Sequence, residues 1–362
     1  MKIGSFGLCS CIDTLVRRKN YIKLLIKHEV NSQRKYSIIH RIQAWRRGFL
    51  SDSYAIYPTV KQDPSSYLND WDRYLKTPFI DRGYDQVLDN KLVFRQMLSA
   101  AFPEVMPAYI ALIRKTYISS TDRTADLLTA EALIGLIKHY KRVVIKPVDG
   151  SGGKAIYVVT YDQDFCINHR QATIDDITRL IQSRRHDLVS AYIQQAPYAA
   201  AIYGKTTNTV RILTLWDKRT KEPFIAAAVH RFGSAQTGMV DNFLQGGLSA
   251  AVDLKTGTLT KAARMGIVTL EWSETHPDTG EQIEGVTIPG WEMISTSLLK
   301  MARFLHYIPY IGWDVVVTDS GFKVLEANRY SSVDLFQIHS PLLRQARVRQ
   351  FYQDYGVLNS AR

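Results

Sequence analysis

Gly312-Trp-Asp314-Val-Val-Val-Thr-Asp319-Ser320-Gly321-Phe-Lys-Val-Leu-Glu326-Ala-Asn328 is the stretch that decides the fold. Two apolar, β-branched runs flank Asp-Ser-Gly, which is the signal of a β-hairpin. Pairing centred on Ser320 sets Thr318 against Phe322, Val316 against Val324 and Asp314 against Glu326. Opposed residues hold their Cβ atoms roughly 5 Å apart on one face. Asn328, two residues beyond Glu326, shares that face. The apolar strands predict a buried hairpin, where two facing carboxylates need a counter-charge. Mg²⁺ supplies one, taking carboxylate and amide oxygens together with substrate phosphates. Two such ions bridged by Glu326 suit phosphoryl transfer. On a solvated hairpin the same acids need no ion.

A second segment points the same way. Val143-Val-Ile-Lys146-Pro-Val-Asp149-Gly150-Ser151-Gly152-Gly153-Lys154-Ala-Ile-Tyr-Val-Val159 places three glycines between two lysines. Glycine lets backbone N–H groups approach an anion with no side chain in the way. A Walker A loop fails, because Val148 and Ala155 stand where Gly and Ser/Thr are required. The dinucleotide fingerprint must open a helix, and here a β-type run follows. The kinase signatures His-Arg-Asp and Asp-Phe-Gly are absent. What remains is a strand–loop–strand flap over phosphates with Lys146 on its first strand, or a structural glycine turn.

Outward from these segments, the chain alternates helix and strand. A helix at about 124–140 precedes the strand Arg142–Lys146, and a strand Ala155–Tyr161 follows the flap. A capping box, Thr173-x-x-Asp176, opens the next helix. β-type stretches are expected at Asp187–Ile193, Thr207–Trp216 and Pro223–Arg231. A helix is expected at Trp291–Tyr307, and another beginning at Pro341. Asp89 is read as the cap of a helix carrying Leu92, Val93, Gln96 and Met97.

The 362 residues predict two or three subdomains. A hydrophobic content of 46% with 22% charged residues excludes wholesale disorder. No apolar run approaches the roughly 18 residues of a membrane span. Charges follow the short N-terminal apolar patch instead of preceding it, and there are three cysteines. Both features predict a soluble, unsecreted, cytoplasmic protein in a reducing compartment. Residues 1–50 hold eleven Lys/Arg against two Asp/Glu, a net +9 of the chain's +12. Residues 18–48 read as two basic amphipathic helices, with Tyr21, Leu24, Leu25 and His28 on one stripe and Ile38, Ile39, Ile42 and Trp45 on the other. Residues 49–85 read as loop with short helices. The basic segment is either a solvated face or a site for an anionic membrane surface or acidic polymer, which would place the protein peripherally at the inner membrane face.

The hairpin and the flap together resemble the ATP-grasp superfamily, over about residues 48–340. The resemblance implies an α+β fold in which two subdomains grip ATP, with the basic helices as an extension. It implies that Lys146, Lys91 and the flap residues Gly150, Ser151, Gly152 and Gly153 hold ATP phosphates. Asp314, Glu326 and Asn328 would hold two Mg²⁺ ions. Arg211 in Thr207-Asn-Thr-Val-Arg211 and Lys154 would be catalytic. Asn242 in Asn242-Phe-Leu-Gln-Gly246-Gly247 is similar to the Asn…Gly-Gly stretch before the site. Backbone at Tyr192 and Ile193 would meet adenine, although the usual acid there is missing and ribose recognition is unassigned. His276-Pro-Asp-Thr-Gly280, Ile288-Pro-Gly-Trp291 and Gly312-Trp-Asp314 resemble the branch associated with sugar transfer and polysaccharide biosynthesis.

The implied divisions are 1–85, a basic helical region; 86–190, a subdomain with Lys146 and the flap; and 191–362, a subdomain with the hairpin and a terminal helix. The implied activity is an ATP-dependent carboxylate–amine ligase that joins a small-molecule or glycan carboxylate to an amine. Alternatives are a phosphotransferase without amine ligation, or a basic scaffold with an inactive nucleotide fold. Nucleic acid is not an expected partner.

Overall fold

A computed structural model describes residues 5–32, 34–121, 126–150, 155–266, 269–329 and 331–359, without the side chains of 5–14 and Asp85. Six helices come first: α1 (Ser5–Val30), α2 (Ile38–Arg46), α3 (Ser51–Ile56), α4 (Asp70–Leu75), α5 (Asp85–Asp89) and α6 (Lys91–Ser99). The expected helix pair at 18–48 is present. Its first member starts earlier, and its Tyr21 ring meets Phe79 edge-on at 6.2 Å. Residues 49–85 form short helices around an aromatic cluster in which Tyr57 and Tyr67 stack at 5.0 Å. This region is fastened to the C-terminal part by ions and amides. Arg73 donates to Asp334 at 2.6 Å, and the Gln337 side chain bonds both the N–H and the carbonyl of Leu68 at 2.7 and 3.0 Å.

The cap of α6 is Asn90, not Asp89. Its Oδ1 accepts from the N–H groups of Leu92 and Val93 at 3.1 and 3.0 Å. Asp89 ends α5 instead, and its carboxylate pairs with Arg329 at 2.7 Å. As a result α6 buries Lys91, Phe94 and Leu98 and leaves Val93 exposed.

The first sheet holds β1 (Tyr109–Arg114), β2 (Ile118–Ser120), β3 (Leu127–Leu128), β4 (Arg142–Pro147), β5 (Tyr157–Asp162), β6 (Asp164–Ile167), β7 (Arg170–Ala172) and β8 (His186–Ala191). Their order is β3-β2-β1-β8-β4-β5-β6-β7, antiparallel throughout. Two helices cover one face. α7 (Ala130–Tyr140) starts later than expected, because Thr129 caps it by accepting from Ala132 N–H at 3.1 Å. α8 (Ile174–Ser183) starts at the predicted Thr173–Asp176 capping box. Leu133, Ile137, Ile177 and Ile181 from these helices pack on Val143, Ile145 and Val189. Strand alternation then turns Lys146 to the other face, beside Leu188, Tyr109 and Val148 and toward α6. The expected strand to Ile193 ends at Ala191. Tyr192 N–H still bonds the Arg142 carbonyl at 3.1 Å, beyond the end of the ladder.

The second sheet has the order β13-β12-β11-β10-β9-β14-β15. Its strands are β9 (Val210–Asp217), β10 (Glu222–Phe232), β11 (Leu248–Val252), β12 (Leu259–Met265), β13 (Leu270–Ser273), β14 (Tyr310–Thr318) and β15 (Gly321–Asn328). A short α9 (Pro197–Ile202) leads into it, and α10 (Trp291–Phe304) packs Trp291, Ile294, Leu298 and Met301 on one face. The opposite face carries Leu213, Leu215 and Tyr310 against α11 (Asp334–Gln337) and α12 (Ala346–Asp354). The helix expected to begin at Pro341 is a 3₁₀ turn over Leu342–Arg344, with α12 following it.

The hairpin is present, but its register is not the one read from the sequence. The turn is tighter: Thr318 opposes Gly321, Val317 opposes Phe322 and Val315 opposes Val324. A bulge between Asp314 and Val315 then restores Asp314 opposite Glu326 and Gly312 opposite Asn328. Leu325 is the extra residue. Phe322 and Val324 lie under α10 with Trp313, Val315 and Val317, and so does Ala327 beyond the bulge. In strict alternation Glu326 would follow Phe322 and Val324 into that core. The bulge turns it to the other face, with Asp314.

Candidate functional site

Four adjacent strands bring one row of charges together. Val229 of β10 opposes Arg211 of β9, Arg211 opposes Asp314 of β14, and Asp314 opposes Glu326 of β15. Arg231, two residues past Val229, falls on the same face. The Asp314 carboxylate is buried, at 3% exposure, and both its oxygens are engaged. Arg211 grips it through Nε and, at 2.8 Å, through Nη2, while Arg231 Nη2 lies 3.3 Å from Oδ2. Burial alone would raise this carboxyl. Arg211 and then Arg231 overcome that and hold it well below the usual carboxylate range. The counter-charge that the sequence reading gave to a metal is therefore supplied at Asp314 by two guanidinium groups.

Arg231 and Asp241 were not picked out in the sequence. Asp241 Oδ2 accepts from Thr209 N–H at 2.9 Å and lies 3.4 Å from Arg231 Nε. Arg231 Nε also donates to Thr209 Oγ1 at 3.0 Å. One signal was available: an arginine on the strand after Arg211's, two residues past its partner. Asn242, the neighbour that was singled out, caps a 3₁₀ turn by accepting from Leu244 N–H at 3.0 Å.

Glu326 is more open than Asp314. Its Oε1 lies 3.4 Å from Asn328 Nδ2, and its Oε2 lies 3.4 Å from Lys91 Nζ. Lys91 also donates to the Gly150 carbonyl at 2.9 Å, and its own N–H bonds Val148 O at 3.2 Å. One lysine thus ties the flap end of the first sheet to the carboxylate end of the second. Gly150 has φ +147°, a conformation that L side chains rarely adopt. Ser151, Gly152, Gly153 and Lys154 lie outside the described residues.

Lys146 is the group most in need of an anion. It is 8% exposed, and among the described residues its ammonium makes no hydrogen bond or ion pair; the Tyr109 ring centroid is 5.9 Å away. Burial first, and then the charge of Lys91, push its pKa down from 10.5 to about 8, against the pull of Glu326. A buried cation held beside another cation is what a polyanionic ligand would relieve.

Tyr192 lies 3.6 Å from the Arg142 guanidinium, ring centroid to carbon, and its hydroxyl accepts from Thr207 Oγ1 at 3.1 Å. Its N–H is taken by Arg142 O, so an adenine edge could use only its carbonyl or the backbone at Ile193. His230 is buried, bonded to the Tyr198 hydroxyl at 3.0 Å, and pushed down to about 3 by desolvation. His276 bonds the Gly233 carbonyl at 2.8 Å and stacks on Tyr203. Both histidines are satisfied structural groups.

The donor set fits magnesium in part. Among the described residues no three His, Cys, Asp or Glu cluster as a metal cage. Mg²⁺ does not need one, since one or two carboxylates suffice when substrate phosphates complete the shell. Glu326 and Asn328 offer oxygens. Asp314 could join only by exchanging a guanidinium N–H.

Replacing Arg231 with Leu is expected to lower unfolding stability by about 3 kcal/mol, because Asp241 and Asp314 stay buried with fewer cations. A urea midpoint unchanged from wild type would show that Arg231 is not part of the structural network.

Two antiparallel sheets, with a strand lysine and a glycine-rich loop on one and a carboxylate hairpin on the other, have the architecture of an ATP-grasp protein. The sequence profile of the sugar-transfer associated ATP-grasp family matches residues 72–350, and the chain belongs to that family. No curated protein matches it. Solved structures similar to it include an N5-carboxyaminoimidazole ribonucleotide synthetase in its ADP complex, at 11% identity and TM-score 0.36 over 68% of this chain and 46% of that one. The ATP-grasp ligase PsnB with its minimal precursor matches at 15% identity and TM-score 0.36 over 72% and 60%. D-alanyl-alanine synthetase A from Vibrio cholerae matches at 11% and 0.41 over 73% and 65%. The chain thus spans about half the length of the first two. At these scores the neighbours carry no argument about substrate.

Proposed function

We propose that the chain is an ATP- and Mg²⁺-dependent carboxylate–amine ligase that works through an acyl phosphate on a sugar or polysaccharide precursor. The observation that carries this reading is the buried ammonium of Lys146, which has no ion-pair or hydrogen-bond partner among the described residues and lies close enough to Lys91 and Glu326 to feel both charges. Family membership supports the sugar context.

In this reading Lys146 and Lys91 neutralise the inner phosphates of ATP, and Lys91 gives up its bond to Gly150 to do so. The substrate carboxylate attacks the γ-phosphorus, ADP leaves, and an acyl phosphate forms. The amine then attacks the acyl carbon, expelling phosphate and losing a proton. Arg211 and Arg231 stabilise the transferring phosphoryl group and then the oxyanion at the acyl carbon; losing one such donor costs about 10²–10³ in rate. Asp314 fixes the Arg211 fork so that no reorganisation is needed as charge develops. Glu326 and Asn328 would hold magnesium, with Asp314 beside them, and the ion would neutralise phosphate charge. The roles expected of Gly150–Lys154, Tyr192, Ile193 and Asn242 belong to the same proposal, as do a second ion and the cytoplasm as the place of reaction.

Incubation with Mg-ATP, hydroxylamine and a pool of carboxylic acids that includes uronic acids tests this. Hydroxylamine traps acyl phosphates, so an ATP-dependent hydroxamate is the expected product. ADP released without any hydroxamate, from a pool that includes the oligosaccharide acids, would replace the ligase reading with phosphotransfer.

A further inference from the structure

A helix that packs on a globular core turns its apolar stripe inward. α2 does the reverse. Its inward side is polar: Arg41 pairs with the buried Glu29 of α1 at 2.7 Å, and His40 Nε2 lies 2.9 Å from the Ser51 carbonyl. Glu29 also accepts from the Ser51 N–H and hydroxyl, at 2.9 and 2.6 Å. Ala44 is its only buried residue among those described. The outward side carries Ile38, Ile39, Ile42 and Trp45, which are 75, 69, 48 and 47% exposed. The specific bonds beneath fix the orientation, so the isoleucines cannot rotate inward without taking Arg41 from the buried Glu29. Lys35 before the helix and Arg46 at its end are exposed as well. On α1, Ile22, Ile26 and Val30 recur at one-turn spacing, also exposed, among Lys23 and Lys27. Among the described residues no helix is long and apolar enough to cross a membrane.

We propose that the outer face of α2 docks on an anionic lipid surface. Its isoleucines and Trp45 would enter the boundary between headgroups and acyl chains, and Lys35 and Arg46 would lie over lipid phosphates. Charge complementarity selects this occupant. The first 50 residues carry +9 of the chain's +12, which an apolar protein groove would leave unneutralised. Apolar side chains, a tryptophan and flanking cations on one short helix are the composition of an interfacial anchor. This proposal does not depend on the reaction assigned above.

Flotation of the full chain with vesicles is the test. Wild type is expected to float with phosphatidylcholine mixed with phosphatidylglycerol, to stay behind with phosphatidylcholine alone, and to detach as salt rises. The triple variant Ile39→Ser, Ile42→Ser, Trp45→Ser removes side chains that lie outside the buried core clusters and should retain a cooperative melt. Its partition is expected to fall about a hundredfold, from three lost apolar insertions. Equal flotation of variant and wild type would overturn the proposal, as would equal binding to neutral vesicles. So would the absence of vesicle binding together with a concentration-dependent dimer that the triple variant dissolves, since a second copy would then cover this face.

Discussion

Glu326→Gln is expected to lower ATP turnover by on the order of 10³-fold, because a metal-held carboxylate supplies several kcal/mol of charge stabilisation. The substitution preserves shape. Glu326 is partly exposed, and the buried Lys91 ammonium keeps its bond to the Gly150 carbonyl, so the far-UV spectrum and cooperative melt should be retained. Two effects act together. The amide oxygen is a weaker ligand for Mg²⁺, and Lys91 loses the carboxylate 3.4 Å away. Steady-state ADP release at saturating magnesium measures the change. A wild-type rate in this variant would remove Glu326 from the metal assignment, and Asn328 with it.

Lys146→Met should shift two properties in opposite directions. In the protein without nucleotide, Lys146 is a buried charge with no described partner, and its pKa is depressed from 10.5 to about 8. The sign follows from proton binding in the two states. Below about pH 8 both folded and unfolded chains are protonated, and the cost of the buried charge is present in full. Between about 8 and 10.5 the unfolded chain binds more protons, so stability rises with pH and then levels off. The depression corresponds to about 3 kcal/mol at neutral pH, so Met, uncharged and of similar length, is expected to raise stability by up to that amount. ATP affinity is expected to fall by about 10- to 100-fold, the worth of a charge-assisted phosphate contact. Denaturant melts across pH and Mg-ATP titrations measure the two effects. A variant that is destabilised, or that binds ATP as wild type does, would show that the ammonium is not waiting for an anion. Wild-type affinity should itself weaken as pH rises through about 8, with proton uptake on binding.

The parts of the fold that were legible in the sequence rest on local signals. The hairpin was marked by its turn and its β-branched runs, and α8 by its capping box. Lys146 stood out because it precedes three glycines on a strand. Other features were hidden for physical reasons. The bulge falls at the apolar pair Val324-Leu325, between Lys323 and Glu326, and nothing in the pair says which member is the extra residue. Asp89 and Asn90 are both good caps, and only the preceding α5, ending at Asp89, decides between them. Arg231 and Asp241 join the site through the order of strands, which periodicity does not encode. The stripe of α2 was readable as a helix face, but a stripe does not say which way it points. Arg41 and Glu29 decide that across twelve residues.

The bulge in β15 also acts as a phase shift. Before Leu325, even-numbered positions of the strand belong to the oily interior under α10; after it, odd-numbered positions do. The strand is therefore two half-strands with opposite parity, and each can vary without disturbing the other. Mutational tolerance should follow that division: hydrophobic swaps at Phe322 and Val324 are constrained by volume, while positions 326 and 328 are constrained by charge and oxygen donors. The interval from Asp314 to Glu326 is the sum of a two-residue turn and one slipped position. A chain with a three-residue turn and no slip would keep the interval and the Asp–Glu pairing, but would put the positions of Phe322 and Val324 on the acids' side of the sheet. The distance between two acids in sequence thus sets their pairing without saying which of the residues between them share their face.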